Sequence, residues 1–267
     1  MNGIAAVVFD WAGTMIDFGC VAPVDAMKTV FGAEGIAIAD AHARQDMGRA
    51  KRDHVRGILS IDAVRRQWHE RHGRDFTEQD VGRIHEALEP VMLTTTAAHG
   101  DLIPGAAELV QVLHGKGIRI GSSTGYTRTM MREILPRAAA QGYVPDYLVC
   151  AGETLEGRPS PLPMWKNMVE LGVWPARRCV KVDDAEVGIR EGRNAGVWTI
   201  GIAASGNGVG LRLAEWQALS PAEQRMRADA AAAPLRALGA HYIVDTVADL
   251  LPVLAEVEQR IGAGDNP

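Results

Sequence analysis

Val7-Val8-Phe9-Asp10-Trp11-Ala12-Gly13-Thr14 decides how the rest of the chain reads. It continues an apolar run that starts at Ile4, the pattern of a parallel strand buried on both faces, and it ends on an acid followed by a Gly-Thr turn. Such a strand puts Asp10 at its carboxyl end, where open α/β sheets bind their ligands, and makes Asp10 the candidate nucleophile. Taken alone, the octapeptide also fits a core strand followed by an ordinary Asp-led turn. The choice between the two rests on what other strands bring to the same edge.

Downstream of Thr14 the period changes. Val24, Met27, Val30 and Phe31 give a helical apolar face ending near Gly32. A second helical region runs from Ala41 to Leu59, broken near Gly48. Ile61, Val64 and Trp68 mark a third helix, closing at Gly73. Thr77 and Asp80 open a fourth, as N-cap and acidic N3 partner. Between about Pro23 and Ala98 no strand is expected, so these helices should pack on one another. From Pro104 strands and helices alternate. Strands are expected at 118–122, 147–150, 179–182, 197–202 and 241–244, separated by helical segments and by a glycine-rich loop at Gly206, Gly208 and Gly210. Alternation implies parallel pairing through right-handed crossovers. The expected fold is therefore α/β, a doubly wound parallel sheet formed by residues 1–18 and 100–267, with residues 19–99 inserted as a helical cap. Because the insert leaves just after Asp10, it is placed to lie over the ligand-binding edge.

Bulk properties restrict the function classes. The 267 residues carry 28 basic and 33 acidic side chains, a net charge of -5 that gives no sign of nucleic-acid binding. No apolar run nears the ~18 residues that span a bilayer, and no basic n-region opens the chain, so a cytoplasmic protein is expected. Cys20, Cys150 and Cys179 are odd in number and lack metal-ligand spacing, which argues for reduced thiols.

Four strand ends converge on one edge in this fold, and they carry Asp10, Ser122-Ser123-Thr124, Arg158 and Asp183-Asp184. Converging carboxylates suit Mg²⁺, while a hydroxyl and a guanidinium beside them suit phosphoryl oxygens. Each feature alone has a plainer explanation: Arg158 as a loop charge, Thr124 as a cap or turn residue, Asp183-Asp184 as a turn. Together they point to phosphoryl chemistry.

These strand ends resemble the haloacid dehalogenase superfamily, in Phe9-Asp10-Trp11-Ala12-Gly13-Thr14, Ile120-Gly121-Ser122-Ser123-Thr124-Gly125, Arg158-Pro159-Ser160-Pro161 and Val182-Asp183-Asp184. Phosphatases of that superfamily usually carry a second acid two positions after the nucleophile, and this chain has Ala12. With Ala there, and with FDWAGTMIDFGC (9–20), Met47-Gly48 through His54-Val55, GSSTGYTR (121–128), Gly142-Tyr143, Gly157-Arg158-Pro159 and EGRNAGVWT (191–199), the chain is similar to the phosphonoacetaldehyde hydrolase (phosphonatase) family. The resemblance spans insert and core. It implies hydrolytic C–P cleavage of phosphonoacetaldehyde, with Asp10 as nucleophile and Lys51 as Schiff-base lysine. It further implies Mg²⁺ on Asp10, the Ala12 carbonyl and Asp184, substrate contacts from Thr124, Arg158 and His54, a lysine surround of Cys20, Met47 and Tyr126, and a homodimer. An exposed apolar patch near Met27 and Phe31 would supply the dimer contact.

Ala12 and Lys51 belong together chemically. Breaking a C–P bond leaves its electrons on carbon, and a protonated imine on the adjacent carbon accepts them as an enamine, so no acid is needed at position 12. Lys51 must then be neutral, through burial or a neighbouring cation such as Arg49 or Arg52. One departure from the resembled pattern concerns the acids. Some members have Gly-Asp with another Asp four positions on, whereas this chain has Asp183, Asp184 and Gly188. Asp184 is expected at the metal with Asp183 behind it. Competing readings are a phosphatase for a small phosphate ester and a non-catalytic binding protein on the same fold.

Overall fold

The computed structural model describes residues 3–267. Six parallel strands form one sheet among the described residues: β1 (Ala6–Phe9), β2 (Arg119–Ser123), β3 (Tyr147–Val149), β4 (Cys179–Asp183), β5 (Trp198–Ile202) and β6 (Tyr242–Val244), in the order β3-β2-β1-β4-β5-β6. This is the doubly wound order, and its switch point lies between β1 and β4. The register pairs Phe9 with Ser122 on one side and with Val182 on the other. Asp10, Ser123 and Asp183 therefore reach the carboxyl edge side by side.

Strand alternation divides the core. Val7 and Phe9 face one layer, packed with Leu109, Leu113, Met130 and Leu254, while Ala6 and Val8 face another with Met164, Ala195 and Val197. Helices α6 (Ala106–Gly115), α7 (Arg128–Ala140) and α12 (Leu250–Ala263) contribute to the first layer, and α8 (Leu162–Glu170) and α9 (Glu186–Ala195) to the second. Two further helices, α10 (Leu213–Gln217) and α11 (Pro221–Ala237), follow the glycine-rich loop, and Ala228, Ala231 and Ala232 of α11 pack on Ala203 and Ala204.

Between β1 and α6 the described residues hold helices and no strand: α1 (Val21–Ala33), α2 (Asp40–Arg44), α3 (Lys51–Ser60), α4 (Asp62–His72) and α5 (Glu78–His99). They pack on one another through Val24, Met27, Val55, Leu59, Trp68, Val81, Leu88 and Met92. Local chemistry sets their ends as the sequence predicts. Gly73 closes α4 in the left-handed conformation, and Thr77 and Asp80 exchange the two capping hydrogen bonds at the start of α5. One expectation fails. Met27 and Phe31 are fully buried against the neighbouring helices, so no apolar dimer patch forms there. The face of α1 that the period marks as apolar is already covered within the chain. No helix among the described residues is long and apolar enough to cross a membrane.

Candidate active site

The carboxylate of Asp10, placed by β1, accepts a 2.7 Å hydrogen bond from Nη1 of Arg158. The same nitrogen lies 3.0 Å from Oδ2 of Asp183, and Nη2 donates to the carbonyl of Gly48, in the segment between α2 and α3. Arg158 is thus no loop charge. It is buried, and it joins the two central strand ends to the helical insert. At the end of β4 the two acids separate in role. Asp183 is enclosed by Arg158, by Lys181 at 3.0 Å and by the Ala185 amide at 2.9 Å. Among the described residues Asp184 receives only neutral donors: the Thr14 hydroxyl at 3.0 Å, the Asn207 amide at 2.8 Å and the Cys20 thiol at 3.4 Å.

Asp10, Ala12, Thr124, Arg158, Asp184 and Lys51 line one narrow cavity with Cys20, Pro23, Met47, Gly48 and Tyr126. Thr124 is not a helix cap, a role Thr127 fills for α7; its hydroxyl accepts from the Tyr126 amide and faces the cavity. Lys51, the first residue of α3, is 2% exposed, with Nζ 5.0 Å from the Tyr126 ring centroid and no ion pair among the described residues. Burial lowers its pKa to about 8; the neighbouring thiol of Cys20 opposes the shift and the charge of Arg158 adds to it. The cation that acts on Lys51 is therefore Arg158. Arg49 and Arg52, named from sequence, are engaged with Asp46 at 3.0 Å and Glu78 at 3.5 Å.

His54, expected from the resemblance to contact substrate, is not among the residues that line this cavity. It is fully buried one turn beyond Lys51, where Nε2 lies 2.9 Å from the carbonyl of Ala43 and so must carry the ring proton. Burial, then the charge of Lys51, pushes its pKa down to about 3, which keeps the imidazole neutral.

Oxygens of Asp10, Asp183 and Asp184 lie within 4.8 Å of one another. Burial raises the pKa of Asp10 and of Asp184, and the other carboxylates at the strand ends push both further up. Arg158 and Lys181 answer Asp183, but no cation pairs with Asp184 among the described residues. A hard cation with oxygen ligands fits that deficit, and the carbonyl of Ala12, at the same cavity wall, adds a neutral oxygen. The glycines around the acids are required by close approach. A Cβ on Gly13, at φ +83°, would come within 2.5 Å of Asp184 Oδ2, and one on Gly188 within 1.9 Å of Asp183 Oδ2. The side chain of Asp183 thus fills the space that an acid at 188 would need, so position 188 carries glycine.

The support beneath these residues lies outside the motifs that mark the strand ends. Lys181 Nζ donates to Ser123 Oγ at 2.7 Å and pairs with Glu191 at 3.1 Å, all fully buried. A signal existed: a lysine between two valines in a strand buried on both faces must have a buried acid to pair with. Asp17, which accepts from the Val21 and Ala22 amides and so caps the start of α1, offered no such signal.

The model of haloacid dehalogenase-like hydrolases matches residues 4–196. A phosphonoacetaldehyde hydrolase of Paraburkholderia xenovorans is 44% identical over 267 residues, the whole of both chains, and one of Nitratidesulfovibrio vulgaris is 42% identical over 99% of this chain and 94% of its own. The crystal structure of a phosphonoacetaldehyde hydrolase-like protein from Oleispira antarctica superposes with a TM-score of 0.98 at 40% identity, over 99% of this chain and 96% of that one. A β-phosphoglucomutase from Clostridium difficile, 18% identical with a TM-score of 0.69, shares the fold. The chain belongs to the haloacid dehalogenase-like hydrolases and, within them, to the family of the phosphonoacetaldehyde hydrolases.

Proposed function

We propose that the protein hydrolyses phosphonoacetaldehyde to acetaldehyde and phosphate through an imine on Lys51 and an aspartyl phosphate on Asp10. One observation carries the reading: a buried lysine with a pKa lowered to about 8 shares a cavity with Asp10 and Arg158, and the position that serves phosphatases as general acid is Ala12. The full-length likeness to phosphonoacetaldehyde hydrolases supports the same substrate.

The neutral amine of Lys51 adds to the aldehyde carbon and loses water, giving a protonated imine. Thr124 and Arg158 hold phosphonate oxygens, which orients phosphorus toward Asp10. A carboxylate oxygen of Asp10 attacks phosphorus, the C–P bond breaks, and its electron pair moves into the imine to form an enamine. Water releases phosphate from Asp10; the enamine takes up a proton on carbon, and a second water frees acetaldehyde from Lys51, so one water is consumed overall. Asp10, the Ala12 carbonyl and Asp184 would hold Mg²⁺, which supplies positive charge against the phosphonate during attack. The insert, taken as a cap over residues 19–99, carries the carbonyl chemistry. His54 acts from behind Lys51 as a neutral packing partner. Cytoplasmic location and a homodimer go with this reading, the dimer through a surface other than the buried Met27 and Phe31.

Borohydride trapping is the test. Phosphonoacetaldehyde with borohydride should give a covalent adduct at Lys51, alongside Mg²⁺-dependent release of phosphate and acetaldehyde from the untreated enzyme. Phosphate release from simple esters without any lysine adduct would favour the ester-phosphatase reading.

A further inference from the structure

The glycine-rich loop after β5 has no part in the chemistry just described, yet it closes directly against Asp184. Gly206 lies so near that a Cβ there would meet the Cβ of Asp184 at 2.5 Å, and the amide of Asn207 donates to Asp184 Oδ2 at 2.8 Å. The side chain of Asn207 turns the other way, toward the insert. Its Oδ1 accepts from Arg44 Nη1 at 3.1 Å, and its Nδ2 donates to the Arg44 carbonyl at 3.2 Å. Arg44, the last residue of α2, also donates to the carbonyl of Gly19 at 2.8 Å and to that of Gly210 at 2.9 Å. The guanidinium occupies a built seat: a Cβ on Gly210 would come within 2.6 Å of it. Gly19 in turn donates to the carbonyl of Ser205, whose hydroxyl donates to that of Gly13.

We propose that Arg44 and Asn207 are positioning residues for Asp184, so that seating α2 on this loop completes the acid cluster. The inference rests on the reading of Asp184 as a metal ligand. Arg44 fixes the loop at both ends of its glycine-rich stretch, Asn207 transmits the fixed position through its backbone amide, and the carboxylate oxygen that accepts this bond is held against rotation. A third arginine, besides Arg44 and Arg158, joins insert and core without this path. Arg212 pairs with Asp25 of α1 at 3.2 Å and makes no contact with Asp184. It is the control.

The experiment is calorimetric titration of Mg²⁺ into the substrate-free protein, for wild type, Arg44→Ala, Asn207→Ala, the double variant and Arg212→Ala. Removing a partner that orients a metal-bound carboxylate weakens metal affinity about 10- to 100-fold, so Arg44→Ala is expected to raise the Kd for Mg²⁺ about tenfold or more. Asn207→Ala, which keeps the backbone amide but frees Arg44, should raise it severalfold, and the double variant should bind no worse than Arg44→Ala alone. Arg212→Ala should match wild type. Unchanged affinity in Asn207→Ala together with Arg44→Ala overturns the proposal, as does an equal loss in Arg212→Ala, which would mark a general closure effect. Asn207 is partly exposed, so its variant keeps the test open should Arg44→Ala not fold. Borohydride trapping at Lys51 in the wild type is scored separately: its absence refutes the Schiff base and leaves the metal titration intact. Wild-type protein that binds no Mg²⁺ refutes the metal reading itself and this proposal with it.

Discussion

The pH dependence of imine formation at Lys51 follows directly from its burial. At pH 7 an amine with a pKa of about 8 is neutral in about one molecule in ten, against roughly one in three thousand for a lysine at the ordinary value near 10.5. The cavity thus makes the nucleophilic form about 300-fold more abundant. The perturbation is pH alone, and the assay is the rate of reductive trapping of acetaldehyde, the proposed product, followed by mass spectrometry of the Lys51 peptide. Below about pH 7 the rate should climb about tenfold per unit, pass its midpoint near 8 and level off above about 9. Surface lysines in the same digest provide the internal reference, since their trapping keeps rising toward about pH 10. A Lys51 profile that rises with theirs, without a plateau, would refute the claim that desolvation and Arg158 activate this amine.

Other perturbations separate the two halves of the chemistry. Asp10→Asn should still form the Lys51 adduct with phosphonoacetaldehyde while phosphate release falls by about a thousandfold or more, measured by adduct mass and a phosphate assay. Lys51→Met should abolish C–P cleavage and stabilise the fold by up to about 3 kcal/mol at pH 7, because the native state then no longer buries an ammonium group. The lowered pKa means that the unfolded chain holds the extra proton between about pH 8 and 10.5, so wild-type stability rises across that window and the advantage of Lys51→Met shrinks there; urea melts at both ends check the sign. Gly48→Ala puts a side chain at φ +89° and 2.7 Å from Val187 Cγ2, a conformation costing about 1–2 kcal/mol before any clash. It should lift α3 from the core and lower kcat/KM about tenfold or more. Thr77→Ala removes only the α5 cap, so a loss of about 1 kcal/mol, a Tm lower by about 2–4 °C and unchanged turnover are expected.

Some of this protein was legible in one dimension for physical reasons. A strand buried on both faces is largely apolar, and Ile4 to Phe9 and Val197 to Ile202 announce themselves that way. Helix ends such as Thr77 and Gly73 depend on the chemistry of one or two neighbouring residues, so they too are written locally. What depends on partners far along the chain was not. The burial of Met27 and Phe31 is decided by α5, some sixty residues away, and an apolar stripe reads the same whether it meets another helix or another subunit. The cation beside Lys51 is more than a hundred residues distant, which is why the adjacent arginines 49 and 52 looked the better candidates. His54 shows the same limit: spacing puts it one turn from Lys51, but only the carbonyl of Ala43 decides where its ring points.

The sheet and the insert divide the proposed reaction between them. Every residue proposed to handle phosphorus stands on a strand end or on a loop tied to one, above the buried Lys181–Glu191–Ser123 network. Lys51 arrives on a helix whose approach is fixed at the Gly48 carbonyl by Arg158, the same side chain that holds Asp10. Arg158 therefore couples the halves: it holds the proposed nucleophile, stands at the proposed phosphoryl side of the cavity, and by its charge helps lower the pKa of the amine. An ester phosphatase would need none of the last function. A lysine this deeply buried without an ion pair among the described residues costs the fold stability, and Ala12 leaves position 12 without the acid that an ester phosphatase would use there. The two anomalies are explained together when the leaving group is carbon: its electrons need an iminium sink, and an acid at position 12 would have no oxygen to protonate.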